Sequence, residues 1–167
     1  MFDFNRIIGV FKLDTKTFAA IESDQAATTQ AMIIVAIVAV LNGLGSGIST
    51  AFMGGGHGFF PRFISTLVWG FIGWLLWAVV TYYVGTKFFG GKADLAEMMR
   101  VIGYAYAPQV LGIIPCIGGI VGGIWSLVAG FFAVREGLDL DNTKTLFTVL
   151  IGFAFYIVGM IILNIIF

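Results

Sequence analysis

The sequence predicts an all-α fold: a polytopic membrane bundle of five transmembrane helices behind an amphipathic N-terminal segment. Three observations predict it. The first is composition: of 167 residues, 59% are hydrophobic and 11% charged, with a mean hydropathy of +1.01. A soluble domain carries about 25% charged residues, so this chain has too little charge to cover a water-exposed surface. The second is where the charges fall. From Asp24 to Arg62 the one Asp, Glu, Lys, Arg or His is His57. None lies between Arg62 and Lys87, between Arg100 and Arg135, or after Lys144. A span needs about 20 mainly apolar residues, and these gaps supply them. The third is an asymmetry of basic residues, which fixes the expected orientation.

Residues 1–27 are expected to form a cytoplasmic amphipathic segment, and 28–167 the membrane domain. Phe4, Ile7, Ile8 and Phe11 fall at helical spacing opposite Asp3, Asn5, Arg6 and Lys12. The stretch is too short for a signal peptide and no small-residue cleavage site follows. Two readings of that apolar face stay open: a helix lying in the membrane interface, or one packed on helix ends of the same protein. Asp14 is expected to cap a second short helix through Phe18 and Ile21.

Thr28 to Ile48, Phe63 to Thr86 and Leu146 to Ile166 are expected as the first, second and last spans. The gap from Arg100 to Arg135 is too long for one span and short for two. Pro108, Pro115, Gly118 and Gly119 interrupt it, which predicts a reversal near Pro115 to Gly119. Two legs of about 16 residues would each rise only about 24 Å. The third and fourth spans are therefore expected to be short, lengthened by Leu95 to Met99 with Glu97 and Arg100 snorkelling outward. A re-entrant hairpin is the other reading. Either returns the chain to the same side. With the N-terminus inside, the inner segments hold Arg6, Lys12, Lys16, Lys87, Lys92, Arg100, Arg135 and Lys144, and the outer ones Arg62 alone. The positive-inside rule then places the N-terminus in the cytoplasm and the C-terminus outside, in the cell membrane.

Little in the chain points to chemistry. Nine basic and nine acidic residues cancel, which removes a broad basic face for nucleic acid. His57 is the single histidine, in a Gly54 to Gly58 loop, and Cys116 the single cysteine. A metal site, triad or disulfide is not expected. Asp139 and Asp141 lack the glycine and distal glutamate of a calcium loop, and Asp141 or Asn142 is expected to cap the last helix. No cofactor and no enzymatic activity are expected.

Within the spans no charged side chain sits at mid-depth, which disfavours proton-coupled transport through an intramembrane acid or lysine. Neutral polar residues are present instead: Asn42, Ser46, Ser49, Ser65, Thr66, Thr81, Tyr104, Tyr106, Gln109, Ser126, Thr148, Tyr156 and Asn164. They either hydrogen-bond between helices or line a path. Gly43 with Gly47, Gly118 with Gly122, and Gly119 with Gly123 stand four apart, the spacing that lets helix backbones approach closely. Trp69, Trp74 and Trp77 are expected as packing bulk. Tyr82, Tyr83, Phe59 and Phe60 are expected in interfacial belts.

Several segments carry a resemblance. Arg6-Ile7-Ile8-Gly9-Val10 and Leu13-Asp14-Thr15-Lys16-Thr17-Phe18 precede the first span, and Phe88-Phe89-Gly90-Gly91-Lys92 precedes the third. Gly103-Tyr104-Ala105-Tyr106-Ala107-Pro108 follows, with Trp125 in the fourth span. The chain resembles the Ypt-interacting protein (Yip) family over nearly its whole length, as a compact prokaryotic-type member. The resemblance implies five membrane helices and a cytoplasmic N-terminus. Eukaryotic members associate with Rab-class GTPases and act in vesicle transport and membrane shaping. This sequence lacks their long N-terminal region and Asp-Leu-Tyr-Gly-Pro motif, so a Rab-type GTPase is not expected.

The expected role is a non-enzymatic membrane adaptor or organiser that binds lipid or a partner. The lipid bilayer is the first partner, and a homo-oligomer or a second membrane protein the next. The alternative is a channel or carrier for a neutral solute, its path lined by Tyr104, Gln109, Asn42 and Ser126 with Pro108 opening the third helix.

Overall fold

The structure, a computed structural model, describes residues 3–53, 58–114 and 117–166, and no strand occurs among them. His57 with Gly54 to Gly56, and the expected reversal at Pro115 and Cys116, lie outside the described residues. So does the Asn164 side chain.

Two short helices come first. Helix α1, Phe4–Phe11, starts where the Asp3 carboxylate accepts from the Asn5 amide, and α2, Thr15–Ser23, where Asp14 accepts from Lys16. Between them Leu13 sits in the left-handed region at φ 58°. The Leu13 amide bonds the Val10 carbonyl and the Asp14 amide that of Gly9, a Schellman closure that satisfies the free carbonyls of α1. Gly9 lies against Thr17 with no room for a Cβ, so the two helices fold tightly back on each other.

Helices α3, Ala27–Met53, and α4, Phe59–Phe88, form the next antiparallel pair. Helix α6, Ile117–Gly137, and α7, Asn142–Ile166, complete the long elements. Among the described residues, four helices are long and apolar enough to cross a membrane: Ala27–Phe52, Phe59–Phe88, Ile117–Gly137 and Asn142–Ile162. Asp141 caps α7 by accepting from the Thr143 and Lys144 amides, one of the two caps expected there.

The stretch between α4 and α6 differs from expectation. Helix α5, Leu95–Ala105, has 11 residues and gives way to a seven-residue 3-10 segment, Ala107–Ile113. Pro108 has no amide to donate, so the α ladder ends there and tighter bonds such as Gln109 to the Tyr106 carbonyl take over. Nor is the following leg short. Helix α6 has 21 residues because it runs through Arg135 and Glu136 to Gly137. Arg100 does not snorkel outward. It is 4% exposed, its guanidinium turned inward to the Glu22 carbonyl at 2.7 Å and the Thr28 hydroxyl at 3.4 Å. The last carbonyls of α2 draw the cation in, at the negative end of that helix.

Trp69, Trp74 and Trp77 of α4 are buried, as expected of packing bulk. Apolar side chains such as Ile33, Ile37, Ile72, Phe155 and Ile161 point outward instead, as they do where lipid is the solvent. At the end of the bundle that carries Lys87, Arg100 and Arg135, two loops are joined. The Lys92 amide donates to the Leu138 carbonyl at 3.0 Å, and the Leu138 side chain packs on Gly85 and Gly91.

Candidate functional site

Two sites emerge, one at the N-terminal helices and one inside the bundle. At the first, α1 and α2 pack along α5 and α6 rather than over their ends. Val10, Phe18 and Ile21 are fully buried, and Ile7 and Phe11 rest against the same core. The Trp125 indole N–H of α6 donates to the Phe11 carbonyl at 3.2 Å. Trp125 precedes the end of its helix at Gly137 by about 18 Å of helix axis at 1.5 Å per residue, so α1 ends beside the middle of α6.

Charge locks the other end of this hairpin. Arg6 pairs with Asp24 at 2.7 Å and with Asp3 at 3.5 Å. Asp24 also accepts from the Ala26 amide at 2.9 Å, just ahead of α3. Burial opposes the Arg6 charge, but the Asp24 carboxylate and the neighbouring Tyr104 hydroxyl more than restore it, and its pKa is raised. The Arg6 hydrogen bond in turn holds the Asp24 carboxyl below its usual value. Burial pushes Glu22 up, helped by the negative charges of Asp139, Glu97 and Glu136. Tyr104, fully buried, donates to the Gln30 side chain across to α3.

The expected apolar face of α1 is thereby divided. Ile7 and Phe11 turn toward the bundle, whereas Phe4 is 67% exposed and Ile8 51%. The packed reading holds for Ile7 and Phe11, along α5 and α6 rather than on helix ends.

The second site is a polar cavity of about 280 Å³ between α3, α4, the 3-10 segment and α7. It extends from Pro61 at the Arg62 end inward to Trp69 and Tyr106. The Ser46 and Thr66 hydroxyls bond each other across α3 and α4 at 2.8 Å. Asn42 Oδ1, Trp69 Nε1 and Tyr106 Oη are buried without a hydrogen-bond partner. Tyr106 Oη lies beside Tyr156 and Gln109, and Trp69 beside the Tyr156 hydroxyl, yet neither makes an aligned bond. A second chamber of about 210 Å³ shares Gln109, Gly119 and Tyr156 and reaches Ser126 and Trp77.

These positions sort the residues singled out from the sequence. Asn42 and Gln109 meet at the first cavity, and Ser126 joins Gln109 at the second. Tyr104 does not join them, because it faces Gln30. Thr81 and Thr148 bond carbonyls of their own helices. Tyr156, one of the polar residues named as possible path lining, does reach both chambers, whereas Trp69 was expected as packing bulk alone. The signal was available in principle, since a buried indole N–H requires a partner.

The glycines divide as well. A Cβ on Gly43 would meet the Phe63 ring at 2.9 Å and one on Gly47 the Phe59 ring at 2.8 Å, both across to α4. Gly118 and Gly122 lie against the backbone of the 3-10 segment at Leu111 and Pro108, and Gly103 against Ala31. Gly119 and Gly123 have open space before them and face the chambers. Four of these six glycines therefore meet a neighbour closely, and Gly119 and Gly123 do not, because one side of α6 meets the 3-10 backbone and the other a cavity.

Among the described residues no three His, Cys, Asp or Glu side chains group to hold a metal. Comparison with curated proteins and with solved structures returns no match. The sequence pattern of the Yip1 domain matches residues 8–164. That span runs from α1 through α7 and includes the Tyr104 to Pro108 break. With its apolar helices and this match, the chain belongs to the Yip1 domain family of multi-pass membrane proteins.

Proposed function

We propose that the protein is a non-enzymatic organiser of its own bilayer, with α1 and α2 held as a wedge in the cytoplasmic leaflet. One observation carries this. Trp125 ties the last residue of α1 to the middle of α6, while Ile8 and most of Phe4 stay exposed. Lys12, Asp14 and Lys16 are exposed beside Phe11, so this reading sets α1 at the headgroup and acyl-chain boundary, its apolar side toward the chains and its charges toward water. A helix inserted on one side of a bilayer widens that leaflet, and its affinity depends on curvature.

The topology that supports this reading has five crossings. Helix α5 and the 3-10 segment together rise about 30 Å, enough for the hydrocarbon core. Eight basic residues then fall inside and Arg62 alone outside, which puts the N-terminus in the cytoplasm and the C-terminus outside the cell membrane. The bilayer is the proposed partner, and no Rab-type GTPase is invoked. The carrier reading has less support, since Trp74, Trp77 and Tyr104 fill the bundle on the N-terminal side of the cavity.

Vesicle sorting tests the wedge. The protein, reconstituted into a mixture of small and large vesicles, should be enriched on the small ones. Phe4→Asp with Ile8→Asp should remove the enrichment without unfolding the bundle. Equal density on both sizes for the unmodified protein would overturn the reading.

A further inference from the structure

The cavity beneath Arg62 is independent of the wedge and has its own chemistry. Its lining contains no carboxylate, so nothing in it selects a cation. Among the described residues Arg62 is the one charged residue of its lining, and further in, neutral polar groups, aromatic rings and the aliphatic Val38, Ala39 and Met160 surround it. Trp69 and Tyr156 sit 5.1 Å apart, centroid to centroid, and form one wall.

Three of the polar atoms are incomplete. Tyr106 is 1% exposed and Trp69 8% exposed, so both are more than nine-tenths buried. Neither Tyr106 Oη nor Trp69 Nε1 has a hydrogen-bond partner, and Asn42 Oδ1 also has none. All three residues line the cavity. Leaving such a group unpaired costs about 1–3 kcal/mol, so the site favours an occupant that supplies the missing bonds.

The missing bonds specify that occupant. An indole N–H only donates, an amide oxygen only accepts, and a phenol does both. A group that accepts from Trp69 and donates to Asn42 must do both, as a hydroxyl does. More than one hydroxyl is needed to serve three separated atoms, and the aromatic wall suits the C–H face between them. We propose that this cavity binds an uncharged polyhydroxyl group, presented either by a free polyol or sugar or by the headgroup of a lipid in the outer leaflet. Gly119 offers no side chain on the cavity's α6 side, which keeps the chamber open.

The test uses the full-length protein in phosphatidylcholine discs. In one arm, glycerol and glucose are titrated while tryptophan fluorescence is followed. In the other, phosphatidylglycerol is added to the discs, and retained lipid is weighed by native mass spectrometry. A saturable signal in the first arm identifies a free polyol, and selective retention in the second a lipid headgroup. Either supports the proposal. Tyr106→Phe and Trp69→Phe each delete one polar atom and keep an aromatic ring, and each should weaken binding roughly tenfold. Gly119→Leu should fill the chamber and abolish binding with the thermal midpoint retained. No saturable signal in either arm would overturn the proposal, as for a cavity that holds water alone. Binding unchanged in all three variants would overturn it too, since the ligand would then sit elsewhere.

Discussion

The Trp125 indole donates to the carbonyl of Phe11, 114 positions earlier in the chain, at 3.2 Å. This bond joins the last residue of an amphipathic helix to the middle of a membrane-spanning one. It converts a segment that could drift along a bilayer surface into part of the bundle. Phe4 and Ile8 are exposed because Ile7, Val10 and Phe11 are committed to the core.

Trp125→Phe keeps an aromatic ring and deletes the donor. The bond is worth about 1 kcal/mol net, so amide exchange across residues 4–11 should rise about fivefold. Exchange in α4 should not change. An equal rise in both would mean that the substitution loosens the whole bundle.

The α6 glycines should differ sharply when substituted. A Cβ on Gly122 would stand 2.8 Å from the Pro108 carbonyl oxygen, whereas Gly119 meets nothing. Gly122→Ala should cost about 1–3 kcal/mol, and Gly119→Ala close to nothing. Thermal unfolding in discs measures both.

Tyr104→Phe should weaken the contact between α5 and α3. It removes the hydrogen bond to Gln30 at a cost of about 1 kcal/mol. It should leave polyol or lipid binding unaltered, because Tyr104 does not line the cavity. A loss of binding with normal stability would contradict that placement.

The clamp should respond to acid with two opposed slopes. Asp24 has a lowered pKa, so its contribution is complete above its unfolded value near about 3.9 and is lost as pH falls through the folded value. Glu22 has a raised pKa, so the folded chain takes up that proton first. Stability is then gained as pH falls through its folded value, above about 4.3. Resistance of the N-terminal segment to proteolysis should therefore rise slightly on mild acidification and fall at stronger acid. Asp24→Asn should flatten the acid limb, and Glu22→Gln the rise.

Much of the fold was legible because membrane spans depend on long local averages. The charge gaps located α3, α4 and α7 to within a few residues, and Asp14 and Asp141 marked their helix starts as capping predicts. Pro108 announced a break, but which bonds replace the lost one depends on α3 and α6 packing around it. Arg100 was misjudged for a related reason. Its partner is the Glu22 backbone carbonyl, and no pattern of side chains along the chain reveals where a backbone carbonyl will stand.

The sites were less legible. Asn42 and Gln109 were expected on one path with Tyr104 and Ser126, but only the fold adds Trp69 to their cavity and turns Tyr104 away to Gln30. Gly118 and Gly119 are adjacent in sequence and face opposite surroundings, a backbone and a chamber. Spacing alone does not separate them, since both belong to identical four-residue patterns. The α1 face divides for the same reason: periodicity gave its four apolar residues, while packing of Ile7 and Phe11 on the core leaves Phe4 and Ile8 exposed.

The depth of α1 tests the account most directly. Ile8→Cys in a Cys116→Ser background, spin-labelled and reconstituted in discs, can be probed with oxygen, which dissolves in hydrocarbon, and with a water-soluble nickel chelate. The account predicts a label that collides with oxygen and is shielded from the chelate. A label freely relaxed by the chelate would place α1 in water and contradict the leaflet wedge.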